Sequence, residues 1–196
     1  DGYFGAGRNP YHLNTLYKLR ILGNELILSG YGNDVDITFN GFAEPSVPRV
    51  TFLEKQWATN DNAYLQTYVP NMAHSAWRRY LYYKKNYYAL VVDEITAKAA
   101  GLLNATVGWQ FSTSPTLSSA SPNLLNTANS KSLAWSAVGP VLLKNDWPYT
   151  MRQTISTNVA SGQTQVVAAV ISRAESSSQS NDQFHIQKVA GDQNAF

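Results

Sequence analysis

Residues 77–95 read WRRYLYYKKNYYALVVDEI, and this stretch decides the fold that the sequence predicts. Aromatic and apolar residues dominate both sides of Lys84-Lys85-Asn86, a polar tripeptide that suits a turn. We therefore predict a long hairpin with strands at residues 77–83 and 87–95. Leu90-Val91-Val92 is continuously apolar, which is typical of a strand covered on both faces.

Short segments of polar and apolar alternation extend on both sides of this hairpin. Gly23-Asn24 suits a two-residue hairpin loop, because both residues tolerate a positive φ, and Asn40-Gly41 ends another alternating segment. Residues 96–103 are the one competitor for a helix, and the Ser-, Pro- and Asn-rich residues 112–130 predict a loop. The other predicted strands lie at residues 17–21, 25–28, 35–39, 50–56, 63–69, 107–111, 133–135, 141–143, 149–156, 164–172 and 183–189.

Strands of this number and spacing predict an all-β fold. Two packed antiparallel sheets, an antiparallel β-sandwich, are the expected architecture, with a closed barrel as the alternative. We expect residues 1–196 to form a single β-sandwich domain, and it stays open whether this domain is the C-terminal part of a longer chain.

The composition excludes several classes of protein. Charged residues make up 14% of the chain, against roughly 25% in an average soluble domain, and the net charge is only +2. No cationic cluster supports nucleic-acid binding, and no apolar run approaches the roughly 20 residues of a membrane span. The absence of Cys leaves neither a disulfide framework nor a thiolate metal site. A polar surface with few charges favours a secreted, periplasmic or cell-surface protein.

Two segments resemble the C-terminal β-sandwich of heparinase II/III-like polysaccharide lyases. Residues 10–32 read PYHLNTLYKLRILGNELILSGYG and resemble the family's His-bearing entry to a strand, its Gly turn and its apolar returning strand. Residues 74–83, HSAWRRYLYY, and residues 88–95, YALVVDEI, resemble its Arg-bearing strand followed by a strand that ends in VVD. The resemblance covers roughly the first 110 residues, in the family's order and spacing.

The resemblance implies a carbohydrate-active module that binds an acidic polysaccharide or helps to cleave it by β-elimination. It implies that His12 and His74 are catalytic and that Tyr17, Tyr31 and Arg79 contact the substrate. In the family the active site lies between this sandwich and a helical toroid, so the expected partners are such a domain of the same protein or neighbouring subunits. The chain is expected to be an enzyme only together with that missing helical domain.

Three positions depart from the family pattern. Pro10 stands where many members have a further His, Asn14 stands where they have Asp, and Ser29 replaces an Asp that is a usual metal ligand. A zinc site of that kind would lose a ligand, so we predict no metal and no other cofactor.

Other interpretations of the same residues stay open. Low charge and a tyrosine-rich hairpin also suit an extracellular structural protein, such as a filament or surface subunit, or a sugar-binding module without catalysis. Arg78 and Arg79 point to opposite faces of a strand, and either could instead form a surface ion pair with Asp93 or Glu94 across the hairpin.

Overall fold

The structure is a computed structural model that describes part of the chain. The described residues are 19–22, 25–28, 33–43, 51–70, 72–85, 87–109, 116–118, 121–126, 132–138, 141–142 and 151–174. These residues contain strands and turns and no helix, so none of them forms a helix that is long and apolar enough to cross a membrane. The predicted turn at Gly23-Asn24 and the predicted strand at residues 183–189 lie outside the described residues.

Fifteen strands are described. In chain order they are β1 (Leu19–Leu22), β2 (Glu25–Leu28), β3 (Asn33–Phe39), β4 (Phe42–Ala43), β5 (Phe52–Ala58), β6 (Asn62–Val69), β7 (Ser75–Lys84), β8 (Tyr88–Ala97), β9 (Gly101–Trp109), β10 (Thr116–Ser118), β11 (Ser121–Asn126), β12 (Ser132–Val138), β13 (Val141–Leu142), β14 (Met151–Val159) and β15 (Thr164–Ala174).

The strands form two main antiparallel sheets. One has eight strands in the order β10-β11-β12-β15-β8-β7-β6-β5, and the other has five strands in the order β13-β14-β9-β3-β4. β1 and β2 pair with each other as a separate hairpin. Two separate sheets that share one core confirm the predicted β-sandwich and rule out the closed barrel for the described residues.

The core lies between the two sheets because each sheet directs alternate side chains inward. On β7 the odd-numbered residues from Ser75 to Leu81 are buried, while the even-numbered residues between them are partly exposed. Trp77 and Ile95 of the large sheet pack in the same cluster as Leu103 of the small sheet, and all three are fully buried. Burial of each such side chain contributes roughly 1.5–3 kcal/mol.

The hairpin predicted from residues 77–95 is confirmed. β7 and β8 pair in register from Ser75 opposite Ala97 to Lys84 opposite Tyr88. Val91 and Val92 point to opposite faces of β8, yet they are only 4% and 5% exposed, as the continuous apolar run predicts. The face of the large sheet directed away from the small sheet, called the outer face below, is therefore buried at the centre of β8.

One open alternative is excluded and one local prediction is wrong. Residues 96–103, the one competitor for a helix, are not helical, because β8 continues to Ala97 and β9 begins at Gly101. Buried and more exposed residues alternate along β9, which is the two-residue period of a strand and not the period of about 3.6 residues of a helix. Residues 112–130 were expected to form a loop, but they contain β10 and β11, whose ladder places Leu117 opposite Leu125. Pairing with neighbouring strands outweighs the weak strand propensity of this Ser- and Asn-rich segment.

A buried ion pair joins β7 to β8 on the inner face of the large sheet. Arg79 and Asp93 lie opposite each other in the register and are 2% and 1% exposed. Arg79 donates from Nε to Oδ1 of Asp93 at 2.6 Å and from Nη2 to Oδ2 at 2.9 Å. Trp77 donates from Nε1 to the same Oδ1 at 2.7 Å, and the guanidinium carbon of Arg79 lies 4.9 Å from the centre of the Trp77 ring.

Removal of one charge from this pair should destabilise the protein strongly. We expect Asp93→Asn to lower the free energy of unfolding by about 3–5 kcal/mol, because Arg79 then stays buried without its counter-charge. Urea denaturation of the purified chain measures this difference.

The matched control is Glu94→Gln on the outer face of the same strand, where we expect a loss of about 1 kcal/mol, because Gln can still accept the hydrogen bond from Tyr80 and Arg78 keeps Glu54 as its partner. The double variant Arg79→Met, Asp93→Leu should recover much of the stability that Asp93→Asn loses, because neither charge remains buried. Equal losses for Asp93→Asn and Glu94→Gln would contradict the assignment.

Candidate functional site

The structure describes two of the five residues that the sequence predicts for a site. These are His74 and Arg79, whereas His12, Tyr17 and Tyr31 lie outside the described residues. The predicted roles of those three residues stay predictions.

His74 lies at one corner of the sandwich, immediately before β7. Its half-buried imidazole stacks on the ring of Phe39, with 5.6 Å between ring centres and 17° between ring planes. Its carbonyl oxygen accepts a hydrogen bond from the backbone N–H of Lys98 at 2.9 Å. Because Phe39 ends β3 in the small sheet, His74 is held where the two sheets meet.

The position of Phe39 depends on a turn and on a close approach. Asn40 and Gly41 have φ values of 50° and 82°, so the predicted strand end at Asn40-Gly41 is confirmed, and the structure shows a tight hairpin turn there. Gly101 passes so close to Phe39 that a β-carbon there would lie 2.6 Å from Cζ of the ring. A residue other than glycine at position 101 would push the ring on which His74 stacks.

Lys98 adds a cation to the same corner. Its backbone is bonded to His74, and its ammonium group donates to the carbonyl oxygen of Met72. Ser161 donates from its hydroxyl to the carbonyl oxygen of Lys98 at 3.0 Å. The segment from Met72 to His74 is therefore bonded to Lys98 through two backbone carbonyl oxygens, so this corner holds a candidate base, His74, and a candidate partner for a carboxylate, Lys98. We call His74 and Lys98 the histidine corner.

Arg79 does not reach the histidine corner. It lies five residues along β7 from His74, which is roughly 16 Å in an extended strand, and its side chain points into the core. The carboxylate that it binds here belongs to Asp93. The alternative of a pair with Asp93 across the hairpin is therefore right about the partner, although the pair is buried rather than on the surface. A contact between Arg79 and substrate stays a prediction.

A second group of candidate residues covers the outer face of the large sheet near β5. The ring of Trp57 stacks on Tyr64 at 6.0 Å between centres and meets Tyr82 edge-on at 6.1 Å. Tyr82 in turn lies 5.8 Å from Tyr88. These four residues, one each from β5, β6, β7 and β8, are called the outer aromatic cluster. Two of its hydroxyls are anchored, because Tyr64 donates to Gln66 at 2.8 Å and Tyr82 donates to Asn62 at 2.9 Å.

A polar network borders this cluster. Arg78 donates from Nε and Nη2 to the two carboxylate oxygens of Glu54, at 2.8 Å and 3.1 Å, and its guanidinium lies 4.4 Å from the centre of the Tyr68 ring. Gln66 donates to the same carboxylate at 2.7 Å. The hydrogen bonds from Arg78 hold the pKa of Glu54 below its usual value.

The pKa of Tyr80 is raised, so its phenol stays neutral. Burial raises it, and so does the hydrogen bond of 2.7 Å that the hydroxyl donates to Glu94. Glu94 also lies 3.9 Å from Nη1 of Arg78. Both carboxylates of this network are therefore bonded within the network itself.

The sequence pattern predicted only part of the outer aromatic cluster. Crowding of Tyr80, Tyr82, Tyr83, Tyr87 and Tyr88 indicated that alternate members face outward, and in the structure Tyr83 packs against the core while Tyr82 and Tyr88 face out. Trp57 and Tyr64 were missed, because they join the cluster only through the pairing of β5, β6 and β7. Among the described residues, no three His, Asp or Glu side chains are grouped to hold a metal ion.

The Glu54–Arg78 pair should make stability depend on pH. Since the folded state lowers the pKa of Glu54, its stabilising effect is complete above the usual carboxyl pKa of about 4.3 and is lost as the pH falls through the lowered value. We expect Glu54→Gln to lose up to about 1 kcal/mol at neutral pH and almost nothing at about pH 3.

Urea denaturation of both proteins at the two pH values measures the difference. The double variant Glu54→Gln, Arg78→Gln should lose less stability than the sum of the two single losses, because the two residues interact as a pair. An equal loss at both pH values would show that Glu54 acts through packing and not through its charge.

Comparison with known proteins gives a likeness of fold. No protein-family model matches the sequence, and no curated protein matches it significantly. Two solved heparinase III structures are similar to it, one with a TM-score of 0.50 and 19% identity and one with a TM-score of 0.47 and 15% identity. The heparan sulfate lyase HepC from Pedobacter heparinus gives a TM-score of 0.46 at 12% identity.

These similarities cover most of this chain and a small part of the other proteins. The two heparinase III structures match over 72% of this chain, which spans 24% and 23% of their lengths, and HepC matches over 70% of this chain and 23% of its own. At such identities the likeness concerns the fold. The chain is therefore a heparinase-like β-sandwich, similar in fold to part of heparinase III.

Proposed function

We propose that this chain is the β-sandwich module of a heparinase II/III-like polysaccharide lyase, where it contributes to binding or β-elimination of an acidic polysaccharide. The observation that carries the proposal is the histidine corner, in which the His74 ring stacks on Phe39 and the His74 backbone is bonded to that of Lys98. The fold shared with heparinase III gives this corner its context.

β-Elimination requires a base and a group that neutralises the carboxylate, and we assign these roles to the two side chains of the histidine corner. The base removes the proton on the carbon next to the uronate carboxylate, and the electron pair forms a C=C bond while the glycosidic C–O bond breaks. His74 would accept that proton. Lys98 would neutralise the carboxylate as negative charge develops on it, and an acid from elsewhere in the protein would protonate the leaving oxygen.

The proposal also includes the other residues predicted from the sequence, a partner domain and a location. His12 would act with His74, and Tyr17, Tyr31 and Arg79 would contact the sugar. A helical domain of the same protein or a neighbouring subunit would close the site from the other side. A charged fraction of 14% supports a protein that works in the periplasm, at the cell surface or outside the cell.

One observation favours a second candidate, an extracellular assembly protein. β5 is the last strand of the eight-stranded sheet in the described part of the chain, and all seven of its residues are exposed. Phe52 and Leu53 are each 52% exposed on this strand. An edge strand of this kind can pair with another copy, so filament formation that is abolished by Leu53→Lys would favour assembly over sugar binding.

Calorimetric titration of the 196-residue chain with heparan sulfate, and with dextran as an uncharged control, tests the proposed function. We expect binding of heparan sulfate that weakens with added salt, and no binding of dextran. Lys98→Met should weaken the affinity about fivefold, since one partly exposed charge pair contributes about 1 kcal/mol, and Lys98→Arg should retain it.

In the natural polypeptide that contains this chain, His74→Ala should lower the rate of unsaturated-uronate formation by about 100-fold or more. The affinity for heparan sulfate should change little, because His74 acts on the reacting proton. Equal binding of heparan sulfate and dextran, or no binding of either, would refute the proposed function.

A further inference from the structure

We propose that the outer aromatic cluster is a second binding site for acidic polysaccharide, separate from the histidine corner. Its rings would stack on the faces of sugar rings, and Lys55 and Lys84 would bind carboxylate or sulfate groups of the same chain. The inference deepens the proposed function and rests on it, because it names a site that captures the polymer beside the one that would cleave it.

The first support is geometric. The cluster runs across four neighbouring strands, which at about 4.8 Å per strand gives a strip of roughly 14 Å. Such a strip suits an oligosaccharide rather than a single sugar. Hydrogen bonds to Gln66 and Asn62 hold the rings of Tyr64 and Tyr82 in place, so little side-chain freedom is lost when a ligand stacks on them.

The second support is the exposure of Trp57. This side chain is 41% exposed although its ring packs against Tyr64 and Tyr82, so a large apolar face is presented to solvent. Exposed aromatic patches with a polar border are typical of binding sites. The electron-rich face of an indole or phenol ring attracts the weakly positive C–H groups of a sugar face.

The third support is charge. Lys55 Nζ lies 5.9 Å from the centre of the Tyr64 ring, and Lys84 Nζ lies 4.9 Å from the centre of the Tyr87 ring. Glu54 and Glu94 are already bonded to Arg78 and Tyr80, and among the described residues neither lysine has a carboxylate within ion-pair distance. The charge left over around the rings is positive, which selects an acidic polymer.

A β-bulge makes this arrangement possible. The pairing of β5 with β6 shifts by one residue between Leu53 and Lys55, so Glu54 is the extra residue. As a result the side chains of Glu54 and Lys55 both lie on the outer face, although the two residues are adjacent. Glu54 bonds to Arg78, and Lys55 lies over Tyr64. The bulge also aligns Trp57 with Tyr64.

A second copy of this chain fits the same face less well. Two copies that met through this face would place two surfaces of net positive charge against each other, and like charges across an interface are unfavourable. Three of the four rings also lie on β6, β7 and β8, on the sheet face and not at the edge where strands of two copies would pair.

The test uses the 196-residue chain and a size-fractionated heparan sulfate oligosaccharide, with affinity measured by calorimetry. We expect Trp57→Ala to weaken binding at least tenfold and Trp57→Phe to retain most of the affinity. Lys55→Gln should weaken binding and reduce its dependence on salt. The matched control is Phe42→Ala, which removes a 71% exposed ring from the small sheet and should leave the affinity unchanged.

Each outcome decides between the two proposals. If the wild-type chain binds and Trp57→Ala binds equally well with an unchanged unfolding midpoint, the outer site is refuted and the proposed function stands. If the wild-type chain binds no polysaccharide, the proposed function fails and the outer site fails with it. Self-association that is abolished by Trp57→Ala, without sugar binding, would assign this face to a second copy and overturn the inference.

Discussion

The buried pair of Arg79 and Asp93 fixes the arrangement of the large sheet. Strand side chains alternate with a period of two, so a shift of one residue in β7 would place Arg79 outside and a tyrosine in the core. The pair, with the bond from Trp77 to the same carboxylate, allows only the register in which these three side chains meet. The buried charges would destabilise the fold if they were separated, and therefore they specify one pairing of β7 with β8.

Everything on the outer face follows from that register. With Arg79 inside, the even-numbered residues of β7 must face away from the small sheet, among them Arg78 and Tyr82. Arg78 then reaches Glu54 on β5, and Tyr82 reaches Trp57 on the same strand. The polar network and the outer aromatic cluster thus both follow from the inward position of Arg79. They lie on a different surface from the histidine corner.

Sequence alone predicted the features that depend on neighbouring residues. Val91 and Val92 predicted a strand covered on both faces, and Asn40-Gly41 predicted the end of a strand, because each signal is local. The ion-pair partner Asp93 was also predictable, since it lies across the hairpin from Arg79. Which of the two adjacent arginines is buried was not predictable, because tyrosine suits either face of a strand and leaves the alternation ambiguous.

Features that join distant strands could not be predicted. The contact between His74 and Phe39 spans the two sheets, and the meeting of Trp57 with Tyr64 and Tyr82 depends on a bulge in β5. Neither the register of a bulged edge strand nor the packing of one sheet on another is encoded in the order of a few residues. For this reason the sequence predicted only His74 of the histidine corner, and only Tyr82 and Tyr88 of the outer aromatic cluster.

We propose that this sandwich binds acidic polysaccharide on its outer face, while its inner face packs against the small sheet and holds the buried pair. NMR mapping of the isotope-labelled chain during titration with a heparan sulfate oligosaccharide tests that claim most directly. The largest shifts should occur at Trp57, Tyr64 and Tyr82, with a smaller set at His74 and Lys98, and the indole N–H of Trp77 should stay unchanged. Shifts confined to His74 and Lys98, or the absence of shifts throughout, would contradict polysaccharide binding on the outer face.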